Sequence, residues 1–141
     1  MDGMDGYDAH IARDTARTSM LAVEAGDRDA WLALFAPDAI VEDPIGPSMF
    51  DPDGQGHRGP EAIAAFYDTV VASGKVQFSI RESYAGGREC ANVGTITTTL
   101  PDGSRAIVEG VYTYRVDDAG RIVALRAYWE PERMKLEPPT T

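Results

Sequence analysis

Apolar positions change their spacing about halfway along this chain. Before Gly74 they recur at helical intervals, and after it they alternate as strand residues do. The clearest helical stretch follows Gly59-Pro60. There Ile63, Phe66, Tyr67, Val70 and Val71 fall at i, i+3, i+4, i+7 and i+8, and Gly74 ends the run. Pro60 suits the first turn of a helix because its missing N–H has no partner to lose there. A first helix is predicted from Tyr7 to Ala25, ended by Gly26. A short second one follows Asp27 as N-cap, with Trp31, Leu34 and Phe35 on one face and Pro37 as its stop.

The second half predicts strands. Val76, Phe78 and Ile80 alternate with Gln77, Ser79 and Arg81; Gly86-Gly87 marks a turn; and 91–100 is rich in Thr and Val. After Pro101-Asp102-Gly103 the alternation from Arg105 to Val116 is clean. Ala106, Val108, Gly110, Tyr112, Tyr114 and Val116 form one face, and Glu109, Thr113 and Arg115 the other. In the last strand Val123, Leu125, Ala127 and Trp129 share a face. Helices followed by strands joined through short turns indicate an α+β domain built on a meander; a curved, mixed and mainly antiparallel sheet with the three helices packed on its concave face would then enclose a pocket. The whole chain, 1–141, reads as one domain. Both ends read as loose: 1–6 is Gly/Asp-rich, and Leu136-Glu137-Pro138-Pro139-Thr140-Thr141 is expected to form no regular structure.

Composition narrows the function classes. The net charge of −10 offers no basic stripe for nucleic acid and no attraction to an anionic membrane. Cys90 is the only cysteine, so a disulfide-stapled scaffold is excluded. The N-terminus lacks the pattern of a signal peptide and no run is long enough to span a bilayer, so the expectation is a cytoplasmic protein. His10 and His57 have no metal-ligand spacing with Cys, Asp or Glu, no phosphate loop or nucleophile motif is visible, and neither cofactor nor metal is expected. Asp51, Asp53 and His57 read as solvated turn residues in a Pro/Gly-rich loop, with a loop that gates a pocket mouth as the alternative.

One segment carries candidate chemistry. Ala39-Ile40-Val41-Glu42-Asp43-Pro44 reads as a short strand stopped by a proline, which keeps Asp43 out of the helical region. If Asp43 shares the face of Val41, its carboxylate enters apolar surroundings, its pKa rises, and it becomes a better base near neutral pH. The competing reading is a turn starter, with the carboxylate satisfied by local backbone N–H groups.

The run from Ala25 to Gly46, containing Val-Glu-Asp-Pro-Ile-Gly, resembles the ketosteroid isomerases. So does Gly-Pro-Glu-Ala-Ile-Ala-Ala-Phe-Tyr from Gly59 to Tyr67, and so does Ala119 to Trp129. Phe50–Gly56 and Gly110–Val116 look like the actinobacterial isomerase-like members. The wider superfamily is the cone-shaped fold of nuclear transport factor 2 and the SnoaL-like cyclases. The resemblance implies an apolar, steroid-like ligand, a homodimer, and Asp43 as the group that moves a proton across an allylic system. In these enzymes the base is an Asp of modestly raised pKa, facing an oxyanion hole of a Tyr and a neutral Asp. Counting along the matched segments puts Ser19 where that Tyr stands and Tyr112 where the neutral Asp stands. A phenol at 112 can donate to an enolate oxygen. Tyr67 and Trp129 match pocket-lining positions, although both positions also suit plain core residues. Three activities therefore remain open: steroid isomerisation, ligand binding without turnover, and another reaction on the same fold such as polyketide cyclisation.

Overall fold

The computed structural model describes residues 10–139. The sequence expectations for 1–9 and 140–141 lie outside that range. Helix α1 (Ile11–Glu24) is followed by the single-turn α2 (Arg28–Leu32), strands β1 (Phe35–Glu42) and β2 (His57–Arg58), and α3 (Gly59–Thr69). Four long strands then run in succession: β3 (Lys75–Gly86), β4 (Glu89–Thr99), β5 (Arg105–Val116) and β6 (Ile122–Tyr128). A short β7 (Lys135–Glu137) closes the chain.

The strand order is β2-β1-β6-β5-β4-β3, with β7 also pairing β5. The β3-β4-β5-β6 meander is antiparallel, while β1 lies parallel to β6 and brings the end of the first half beside the end of the second. The sheet is therefore mixed and mainly antiparallel, and α1 packs across β3, β4 and β5. On α1, Ala12, Ala16, Ser19 and Met20 form the buried stripe. Small residues at its upper end let the helix approach the sheet closely, and that approach carries Ser19 inward. No helix among the described residues is long and apolar enough to cross a membrane.

Local chemistry accounts for most boundaries. Asp27 caps α2 by accepting a hydrogen bond from the Ala30 amide at 3.1 Å. Helix α3 begins at Gly59-Pro60 and ends at Thr69, so Val71 falls in a following 3-10 turn rather than in the helix. The structure corrects three expectations. Pro37 does not stop a helix; α2 ends at Leu32, and Pro37 lies inside β1, at the irregular pairing between Phe35 and Ile40 where a missing N–H costs no ladder bond. Leu136 and Glu137 do form regular structure, because the edge of β5 offers them a partner at Ala106 and Arg105. A bulge between Arg115 and Val116 makes Ile122, rather than Val123, the fully buried residue at the start of β6.

The curvature has a local cause. Gly94 and Gly110 pair directly across β4 and β5. Beside them, β3 has a register shift between Ile80 and Glu82. A Cβ on Gly94 would strike the Ser79 carbonyl oxygen, and one on Gly110 would strike the Tyr128 carbonyl oxygen. The sheet thus folds along a line of missing side chains, and β5 passes from pairing β6 to pairing β7 on either side of Gly110. Gly110→Ala should lower unfolding free energy by about 1–3 kcal/mol, at the upper end because the obstacle is backbone. Gly86→Ala, with open space around it and an ordinary φ, should be near neutral. Denaturant midpoints measure both, and equal midpoints would refute this origin of the curvature.

Candidate active site

Strand β1 delivers its last residues into the concave side of the sheet. Val41 is fully buried, and two residues on, by strand alternation, Asp43 points the same way. The Asp43 peptide to Pro44 is cis. Asp43 borders two connected spaces, an inner chamber of about 100 Å³ and an outer groove of about 550 Å³. The outer groove alone falls in the range of about 300–1,000 Å³ typical of small-molecule sites. Asp43 keeps some exposure, but into these spaces, while the surrounding protein removes its carboxylate from bulk water.

The Trp129 indole N–H, just beyond the end of β6, donates to Asp43 Oδ1 at 2.6 Å. Burial pushes the Asp43 pKa above the usual carboxylate range; the Trp129 hydrogen bond and the neighbouring His57 ring each pull it partly back. The result is a carboxylate oriented through Oδ1 by one side-chain donor, with Oδ2 outside that hydrogen bond. A group of that kind can take a proton from carbon and hold it out of solvent.

The inner chamber is otherwise apolar, walled by Phe66, Val70, Phe78 and Leu125, with the hydroxyls of Ser19, Tyr112 and Tyr114 among its few polar groups. Trp31, also in its wall, donates its indole N–H to Ser19 Oγ at 3.0 Å, and Ser19 Oγ lies 3.5 Å from the Tyr114 hydroxyl. The Tyr112 hydroxyl donates to the Val108 carbonyl at 3.3 Å. Burial raises the pKa of both phenols, and the Asp43 charge adds to the rise in each, so both remain neutral donors across the working pH range.

Of the residues singled out from sequence, Asp43, Ser19 and Tyr112 meet at the inner chamber, and Trp129 lines the outer groove with Phe50 beside it at 6.3 Å between ring centroids. Tyr67 does not line either space. Its ring packs on Trp31 at 5.4 Å, in the core behind the chamber wall. His57 is not a solvated turn residue. It pairs with Val41 through β2, stacks on Phe66 at 4.7 Å, and its Nε2 is buried without a hydrogen-bond partner. Asp51 holds its loop together by accepting from the Gly56 amide at 2.8 Å. Tyr114 lies on the inward face that the alternation of β5 predicts, with no role expected of it, and the place of Trp31 among core aromatics hides the donor it carries. The strand alternation that singled out Tyr112 applies equally two residues on.

Residues 16–125 match the family model of the SnoaL-like domain. The chain is 33% identical over 117 residues to a steroid Delta-isomerase of Nocardioides simplex, covering 83% of this chain and 88% of that protein. The structure superposes on a Delta 5-3-ketosteroid isomerase from Mycobacterium sp. with a TM-score of 0.87 and 42% identity, covering 91% of this chain and 99% of the other. It also superposes on a Mycobacterium tuberculosis protein solved in complex with estradiol-17beta-hemisuccinate, with a TM-score of 0.85, 38% identity and coverage of 89% and 98%.

Two predictions follow from the Asp43 environment. Between the ordinary Asp pKa and the raised one, the folded chain binds more protons than the unfolded chain, so Asp43 costs stability as pH rises through that window. Asp43→Asn keeps an oxygen for Trp129 and removes the charge, and should raise the melting temperature at pH 7 by a few degrees; an unchanged or lower value would contradict the buried charge. Trp129→Phe removes a donor that stabilises the carboxylate. The acid limb of any Asp43-dependent kcat/KM profile should then move to higher pH, and an unmoved limb would show that the indole does not tune the base.

Proposed function

This chain belongs to the SnoaL-like domain family and, within it, to the ketosteroid isomerase-like proteins; from that premise we propose that it isomerises a β,γ-unsaturated 3-oxosteroid to the conjugated ketone, with Asp43 as the proton carrier. The observation that carries the reading is a single desolvated carboxylate of raised pKa, oriented by Trp129 and bordering both an apolar chamber and a larger apolar groove.

The proposed chemistry needs no cofactor. Asp43 removes a proton from the carbon between the ketone and the double bond. The C–H electron pair moves into the allylic system and leaves a dienolate with its charge on oxygen. The protonated Asp43 then returns the proton to the far carbon, and the double bond ends in conjugation with the ketone. The same oxygen pair takes and gives the proton, and burial, which raises the Asp43 pKa, makes it a stronger base for the first half. The ketone end enters the inner chamber, where a phenol from β5 stabilises the oxyanion; Tyr112 and Tyr114 both face it. The remote end of the ligand lies in the outer groove against Met49, Phe50, Met134 and Leu136, an apolar surface suited to a ring system or aliphatic substituent.

Ser19 favours a second reading, binding without turnover. The resemblance places a Tyr at that position, and losing an oxyanion donor costs about 3 kcal/mol, or roughly a hundredfold in rate. One assay separates the two. The growth of conjugated-enone ultraviolet absorbance should exceed background, and Asp43→Asn should cut kcat by about 10²–10⁴-fold. No rate above background, with steroid quenching Trp129 fluorescence and recovered unchanged, would leave binding alone. A rate that survives Asp43→Asn would overturn the role of Asp43.

A further inference from the structure

Ser19, Trp31 and Tyr114 are each almost wholly buried, at 1%, 2% and 3% exposure, and their polar atoms form one line from α2 across α1 to β5. The indole N–H can only donate, so Ser19 Oγ is an acceptor in the 3.0 Å contact. Three donor hydrogens (Trp31 N–H, Ser19 O–H, Tyr114 O–H) share two internal contacts. Whichever way the hydroxyls turn, one O–H is left over, and both hydroxyl-bearing residues line the chamber. The Ser19–Tyr114 contact is long at 3.5 Å, so neither hydroxyl is firmly committed to the other. Catalytic hydrogen bonds are often loose in this way before a ligand arrives. If Ser19 donates to Tyr114, the three dipoles align, each polarises the next, and the free O–H is that of the phenol. Tyr112 differs because its hydroxyl already has the Val108 carbonyl as acceptor.

We propose that Tyr114 is the hydrogen-bond donor to the ligand oxygen, held in that role by Ser19 and Trp31, and that the chamber therefore takes ligands presenting an enol, enolate or phenol oxygen at its deep end. Tyr114 is thus a catalytic residue of the isomerase reading, on which this inference rests, while Ser19 and Trp31 are positioning residues. With Ser19 donating to Tyr114, the phenol on β5 carries the free O–H into the chamber.

The test compares two probes, estradiol and 3-deoxyestradiol, which differ only in the phenol oxygen. The wild-type chain should bind estradiol about tenfold more tightly, the usual discrimination of one buried hydrogen bond. Tyr114→Phe should collapse that ratio towards one, Ser19→Ala should reduce it partway, Ser19→Thr should restore it, and Tyr112→Phe should keep it. A general packing defect would weaken both probes alike and leave the ratio standing. A wild-type ratio of one, a ratio that survives Tyr114→Phe, or a collapse in Tyr112→Phe instead would overturn the assignment. In the enone assay, Tyr114→Phe should lower kcat by about 10²–10³-fold with little change in KM. A chain with no isomerase activity whose ratio still collapses in Tyr114→Phe would sink the isomerase reading and uphold the donor assignment.

Discussion

The hydrogen bond from the Trp129 indole to the Asp43 carboxylate joins the two ends of the fold and sets the character of the site. Asp43 closes the first, largely helical half of the chain, and Trp129 follows the last long strand. They meet only because β1 runs parallel to β6, with Val41 beside Leu125 and Glu42 beside Arg126. Glu42 pairs with Arg126 at 2.9 Å, a partly buried ion pair that reinforces the same register. On the inner side the carboxylate gives up water and receives one donor. One donor orients the group without fully repaying its desolvation, so it stays basic. A carboxylate satisfied by two or three backbone N–H groups would be a stable cap with little appetite for a proton.

The rest of the architecture serves that arrangement. The fold line at Gly94 and Gly110 bends the meander so that Tyr112 and Tyr114 face Asp43 across a chamber instead of lying on a flat sheet. The small-residue stripe of α1 brings Ser19 close enough to touch the phenol of Tyr114. The 3-10 turn after β6 and the short β7 extend the wall outward past Trp129, which turns a small chamber into a site large enough for a multi-ring ligand.

Much of this was legible in the sequence because it depends on local signals. The period-two run of β5 gave its exact span from Arg105 to Val116, and Gly59-Pro60 marked the start of α3. The Val-Glu-Asp-Pro block pointed to Asp43 as the candidate acid/base group, and the structure places that residue at the border of the chamber and the groove. What was not legible depends on partners distant in the chain. Pro37 reads as a helix stop until β6 is known to lie beside it, and Leu136 reads as tail until the free edge of β5 is seen. His57 reads as loop, yet pairing with Val41 takes its ring into the core. Tyr67 sits on the inward face of its helix as expected, but that face meets Trp31 and not the chamber. Trp31 reads as a core aromatic, which it is, and the destination of its single N–H is visible only when α1 is folded against α2.

The central claim is that one carboxylate, closed off from water, carries the proton from the first carbon to the last. Isotope tracing on a β,γ-unsaturated 3-oxosteroid deuterated between the ketone and the double bond tests it most directly. The account predicts that a large part of the deuterium reappears on the far carbon of the conjugated product, because Asp43 holds it in a chamber with little access to solvent. Complete loss of the label to water would contradict the account, as would equal transfer in Asp43→Asn.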